Sequence, residues 1–136
     1  MRPALVAVVV SLVAAASATG AARPVAFFGC RAIGPHPVPL VRPASMIVAC
    51  GDGNFYLTGN RWTSWGRTVA KGTATAHQND CTPYCAAGHF HTYVVAMTLS
   101  KPRPCKGHTV FVHLAWTFVG TKPKGVTRSD ALDFPC

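Results

Sequence analysis

The chain has 136 residues, 49% of them hydrophobic, with 13 Lys and Arg against four acidic residues and a formal net charge of +9. That length allows one domain, and the four acids are all Asp (Asp52, Asp80, Asp130 and Asp133), which leaves little for a hydrolase built on two opposed carboxyl groups. The basic residues are scattered and no nucleic-acid motif accompanies them, so the charge reads as attraction to anionic surfaces such as cell-wall polymer, with no nucleic-acid partner.

Met1-Arg2-Pro3 is a short basic start, Ala4 to Ala16 is apolar except for Ser11, and small residues run from Ser17 to Ala22. This is the order of a secretory signal, and the apolar run falls short of the roughly 20 residues needed to span a bilayer. Residues 1–22 are therefore expected to be removed on export, leaving no membrane span. Residues 23–44 carry Pro24, Pro35, Pro37, Pro39 and Pro43. Prolines at this spacing disfavour helix and favour extended backbone, which predicts an irregular arm, pinned at Cys30, lying against a β domain over 45–136.

Met46 to Cys50 is the first expected strand. It ends at Gly51-Asp52-Gly53-Asn54, a turn made from glycines and Asx residues. Phe55–Leu57 is apolar, Thr58-Gly59-Asn60 predicts a turn or bulge, and Arg61–Trp65 predicts a second strand. Regular alternation there sends Trp62 and Trp65 to opposite faces, so that one of them is exposed. Thr68–His77 sets Ala70, Gly72, Ala74 and Ala76 against larger residues, a period-2 strand with a closely approached small face. Gln78–Gly88 is a loop around Cys81-Thr82-Pro83-Tyr84-Cys85. His89–Leu99 is the longest strand, Lys101–Gly107 reads as a loop, and Thr109–Phe118 places Val110, Val112, Leu114, Trp116 and Phe118 inward with Phe111 and His113 facing away. Ala131–Phe134 adds a last short strand. With no sustained helical period, the fold class is all-β: a small antiparallel β-sandwich or barrel of five to seven strands.

Cys30, Cys50, Cys81, Cys85, Cys105 and Cys136 are an even set in a short exported chain, which implies disulfide staples. Short loops close at the least entropic cost. This favours Cys30–Cys50, Cys81–Cys85 and Cys105–Cys136, with Cys81 or Cys85 reaching Cys50 as the alternative.

Catalytic chemistry is sparse. No serine sits in a Gly-x-Ser-x-Gly setting, the Cys81/Cys85 spacing is not that of a redox pair, and no glycine-rich phosphate loop occurs. No enzyme and no cofactor is predicted. Asp52 with Asn54 reads as turn chemistry, since a calcium loop needs more oxygen donors at regular spacing. His89 and His91 are two apart on one strand and share a face, and His113 or His108 from the next strand would complete a zinc or copper set. Solvent-facing strand positions hold histidine without any metal, and none is predicted. Tyr84 on its loop and an exposed Trp65 suit a sugar platform or a protein contact, which makes Tyr84, Trp65, His89 and His91 the candidate binding residues.

The run Ile47-Val48-Ala49-Cys50-Gly51-Asp52-Gly53-Asn54, the Trp62-Thr63-Ser64-Trp65-Gly66 pair, the Asn79–Phe90 segment around Cys81-Thr82-Pro83-Tyr84-Cys85-Ala86-Ala87-Gly88, and Tyr93-Val94-Val95 resemble a group of small exported actinobacterial proteins. The group shares a Cys-Gly/Ala-Asp turn, a Trp-x-x-Trp pair and a Cys-x-Pro-x-Cys-Ala-x-Gly unit. The resemblance covers about Ser45 to Thr117. It implies a common fold and an exported location, and supplies no catalytic residue. The expectation is thus a secreted monomer that binds, without catalysis, an anionic cell-wall polymer or another extracellular protein. The alternatives are a module presenting the 78–88 loop as an inhibitor or interaction surface, and a histidine-based metal-binding protein.

Overall fold

The computed structural model describes residues 22–136, so the expected signal lies outside the described residues except for Ala22. The alternating stretches form seven strands: β1 (Ala26–Phe27), β2 (Ser45–Ile47), β3 (Phe55–Trp65), β4 (Ala70–Asn79), β5 (Phe90–Cys105), β6 (His108–Val119) and β7 (Ser129–Asp133). Two short 3-10 helices, Gly29–Ile33 and Cys85–Ala87, interrupt them. Among the described residues no helix is long and apolar enough to cross a membrane.

The sheet runs β1-β6-β5-β4-β3-β2, with β7 also on β6. Strands β2 to β6 pair as antiparallel neighbours, and β7 is antiparallel to β6. The exception is β1, which lies parallel to β6 through Ala26–Val110 and Phe27–Phe111 and makes the sheet mixed rather than purely antiparallel. The sheet curls until its ends approach each other. The Trp65 indole at the end of β3 donates to the Val25 carbonyl beside β1 at 2.7 Å, and the Cys30–Cys50 disulfide ties the segments that follow β1 and β2.

The proline-rich arm is therefore part of the body. Its prolines leave Val25–Phe28 clear, and this apolar run is buried. Phe27 uses one edge to pair with β6 and the other to exchange two backbone hydrogen bonds with Leu40, at 2.8 and 3.0 Å.

The concave side of the curl carries the core: Leu57, Ala70, Ala74, Ala76, Val95, Met97, Leu99, Leu114, Trp116 and Phe118, closed by Phe27, Met46, Phe111 and Phe134. The expected small face of β4 is buried along its length. Its tightest point is Gly72, registered with Trp62; a Cβ there would lie 3.1 Å from the Trp62 Cα and from the Arg61 carbonyl carbon.

Two expectations about strand faces fail where a ladder is locally irregular. On β3 the irregularity is a bulge, which inserts an unpaired residue and reverses the alternation beyond it; on β5 it is a single left-handed residue in an unshifted register. The β3–β4 register shifts between Thr58 and Arg61 and again between Trp62 and Ser64. Trp62 and Trp65 therefore share the core side, edge to face at 4.7 Å between ring centroids, rather than opposing each other. On β5, Lys101 adopts a positive φ of 53° and the ladder skips its pairing with Val112. Before that break in β6, Phe111 belongs to the main core while Val110 and Val112 pack with Ala26, Phe28, Ala32 and Cys105 in a second cluster.

Lys101–Cys105 is strand rather than loop. Pairing with β4 ends at Leu99, so Pro102 and Pro104 sit where β5 has a free edge and no ladder hydrogen bond is lost on that side. Lys106 and Gly107, with φ of 46° and 80°, make the tight turn into β6. The three disulfides are the sequential set Cys30–Cys50, Cys81–Cys85 and Cys105–Cys136.

Gly72→Ala should destabilise the fold by about 2 kcal/mol, because backbone rather than a flexible side chain must give way. Gly51→Ala, which meets nothing within 4 Å, should stay within about 0.5 kcal/mol of wild type. Denaturant midpoints of the two variants check this.

Candidate functional site

β4 and β5 end together at one mouth of the curl, with Gln78 paired to His91 and Asn79 to Phe90. The connection between them is the loop around Cys81–Cys85, and side chains at its base fix its shape. Asn79 is the buried polar residue among those described. Its Nδ2 donates to Asn54 Oδ1 and to the Cys85 carbonyl, each at 2.8 Å, and its Oδ1 accepts from the Cys81 N–H at 3.0 Å. Asn54 is itself held by Asp52, which accepts from its backbone N–H at 3.0 Å and its side-chain amide at 2.7 Å. The 51–54 turn and the 80–89 loop are thus one hydrogen-bonded unit.

Asp80 works from the outer side. Its Oδ1 accepts from the backbone N–H groups of His89 at 2.9 Å and Thr82 at 3.1 Å, and its Oδ2 meets His91 Nε2 at 3.0 Å. Its own N–H donates to the His89 carbonyl at 3.0 Å. These contacts hold the Asp80 carboxyl well below the usual carboxylate range, the His89 N–H contributing most, followed by His91 and Thr82. Gly88 closes the loop against Cys81, where a Cβ would stand 2.8 Å from the Cys81 nitrogen. The Cys81–Cys85 disulfide spans the tip. Thr82 to Ala87 face solvent, and Tyr84 is 63% exposed.

Two surfaces flank this loop. On the convex side Phe90 is 47% exposed and lies against Tyr56, whose ring stacks on His77 at 4.5 Å with 6° between the planes. His77 Nε2 is fixed by Thr58 Oγ1 at 2.8 Å. On the concave side Gln78, His91 and Tyr93 face the 120–128 connection across a cleft of about 430 Å³.

The candidate residues from the sequence separate. Tyr84 stands out on the loop. His89 and His91 are beside it, His89 through its backbone and His91 through its imidazole, both engaged with Asp80. Trp65 is half-buried on the core with its N–H spent on Val25, so it offers no exposed platform. His113 is remote. It pairs with Ser100 and contacts Asp133 of β7, which also takes Lys101 at 3.3 Å. From His91 to Ser100 along β5 is about 30 Å at ~3.3 Å per residue, so antiparallel register keeps His113 away from the loop histidines. Among the described residues no group of three or more His, Cys, Asp or Glu converges to hold a metal. The convex cluster of Tyr56, His77 and Phe90 was missed from sequence because it spans three strands. Its only local signal is that Phe90 shares an outward side with Thr92 and Val94.

Because the Asp80 carboxyl is depressed in the folded protein, its contribution is fully present above the unfolded value of about 3.9 and is lost as pH falls below it. The protection factors of the Thr82 and His89 amides should therefore fall on acidification below about pH 4, with an Asp80→Asn variant showing low protection already at neutral pH; NMR exchange rates referred to the intrinsic rate at each pH measure both. No family model, curated protein or solved structure shows a significant match to this chain.

Proposed function

We propose that this is an exported, non-enzymatic interaction protein that docks another extracellular protein on the 80–89 loop and the convex aromatic patch beside it. The observation that carries this is Tyr84, 63% exposed on a loop already fixed by Asn79, Asp80 and a disulfide. A loop ordered before binding avoids the entropic cost of ordering it on contact, and tyrosine is among the residues that dominate interface energetics. The tip from Thr82 to Ala87 carries no charge, which suits the desolvated centre of a protein interface better than an anionic polymer. Export is supported by the order of residues 1–22 and by three disulfides of the kind that persist in oxidising compartments. The absence of an enzymatic role rests on the missing catalytic motifs.

The test is retention of proteins from the extracellular fraction of the producing cells on immobilised protein, with purified cell wall as a second arm. Tyr84→Ala should weaken capture of the retained protein about 30-fold, the loss expected of a 2 kcal/mol interface anchor. Unchanged capture by this variant, or salt-sensitive binding to cell wall alone, would overturn protein docking.

A further inference from the structure

The concave cleft is a different surface from the loop tip, and its chemistry is different. We infer that it is a second binding site, for a sugar unit that carries a carboxylate. Gln78, His91 and Tyr93 are the last rungs of the concave side of β4 and β5, where the buried alternation of Ala74, Ala76, Val95 and Met97 gives way to polar groups at the mouth. The mouths of curled and closed sheets are recurrent ligand sites, and about 430 Å³ falls in the range of small-molecule pockets.

The facing wall is built in advance. Lys122 Nζ donates to the Val126 carbonyl at 2.7 Å, and Arg128 Nη1 donates to the carbonyls of Phe118 and Gly120, each at 3.0 Å. Pro123 is buried. Lys124, on the same wall, is exposed and makes no ion pair or hydrogen bond with the described residues. The connection thus spends two of its cations on its own backbone and leaves a third for the cleft.

The balance of donors and acceptors narrows the ligand. The one acid lining the cleft, Asp80, is already engaged by two N–H groups and His91. The Lys124 ammonium, the Gln78 amide and the Tyr93 hydroxyl have no partner among the described residues. Such a set favours a ligand rich in acceptors with a negative charge. Thr82 and the already satisfied Asn79 complete the polar side, and the apolar part of the lining is Val126, Pro123 and the Tyr93 ring, which is packed edge-on against Phe118 at 5.7 Å. A pyranose offers one apolar C–H face and a rim of hydroxyls, and a uronic acid adds the carboxylate for Lys124. An inorganic anion leaves the apolar wall unused, and a neutral sugar leaves Lys124 unused.

This inference does not depend on protein docking through Tyr84: the cleft shares Asp80 and Thr82 with the base of the loop, while its other lining comes from β4, β5 and the 120–128 connection. Titration of the isotopically labelled protein with digalacturonic acid, followed by NMR, should shift the amides of Gln78, His91, Tyr93 and 124–126 while leaving Tyr84–Ala87 at the loop tip unmoved. Maltose and inorganic phosphate should bind at least about tenfold more weakly, and Lys124→Ala should lose about tenfold for digalacturonic acid, as expected for one charge-assisted hydrogen bond. No cleft shifts at millimolar digalacturonic acid, equal affinity for phosphate or for maltose, or unchanged binding by Lys124→Ala would each overturn the assignment. The Tyr84→Ala protein should bind digalacturonic acid like wild type, which separates a failure here from a failure of loop docking.

Discussion

The amide of Asn79 constrains everything at the mouth of the curled sheet. A buried amide left without partners costs about 1–3 kcal/mol per unsatisfied group, so only a chain path that brings partners to it is stable. Those partners come from three places: Asn54 on the preceding turn, Cys85 at the far side of the loop and Cys81 two residues on from Asn79. A one-residue slip of β4 would turn Asn79 to the opposite face and break its contact with Asn54. The same residue thereby holds the register of β4 against β3, the shape of the loop and the attachment of the 51–54 turn. Asp80 repeats the arrangement in solvent, where hydrogen bonds to backbone hold the ends of the loop together.

The curl of the sheet explains why one end of a small protein has two unlike surfaces. Strand residues alternate between faces, so each rung sends one side chain to each side. Near the mouth, Phe90 and His77 go outward while His91 and Gln78 go inward. The outward set meets Tyr56 from β3 and becomes aromatic. The inward set meets the 120–128 connection and becomes a polar cleft. Deeper in the curl the inward positions on β4 are alanine and glycine, and at Gly72 the bulged backbone of β3 at Arg61 and Trp62 leaves no room for a Cβ.

Much of this was legible from local pattern. The Ala70–Ala76 alternation specifies a buried small face wherever its partners lie, and the Gly, Asx and Pro content of 51–54 and 81–88 specifies turns. The sequential disulfides follow from the low entropic cost of short closures. Exposure of Tyr84 agrees with its place between two bridged cysteines beside a proline. The errors are as specific. Thr63 and Lys101 carry no composition signal for an interrupted ladder, yet those interruptions decide where Trp62, Trp65, Phe111, Val110 and Val112 point. Pro102 and Pro104 suggested a loop because a proline forbids a ladder bond only on a paired edge, and which edge is paired is a property of the sheet.

The sequence by itself determined the all-β class and the loop chemistry and favoured the sequential disulfides without excluding a bridge from Cys81 or Cys85 to Cys50, because these depend on residues within a few positions or on a simple chain-closure cost. Only the tertiary structure decided that the arm supplies β1 to β6, that both tryptophans face the core, that His113 lies far from His91, and that Lys124 faces Gln78 and Tyr93 across a cleft. The reason is that these placements depend on strand order, register and bulges. Those are set by which distant segments pair at the lowest total cost, and local periodicity does not record them.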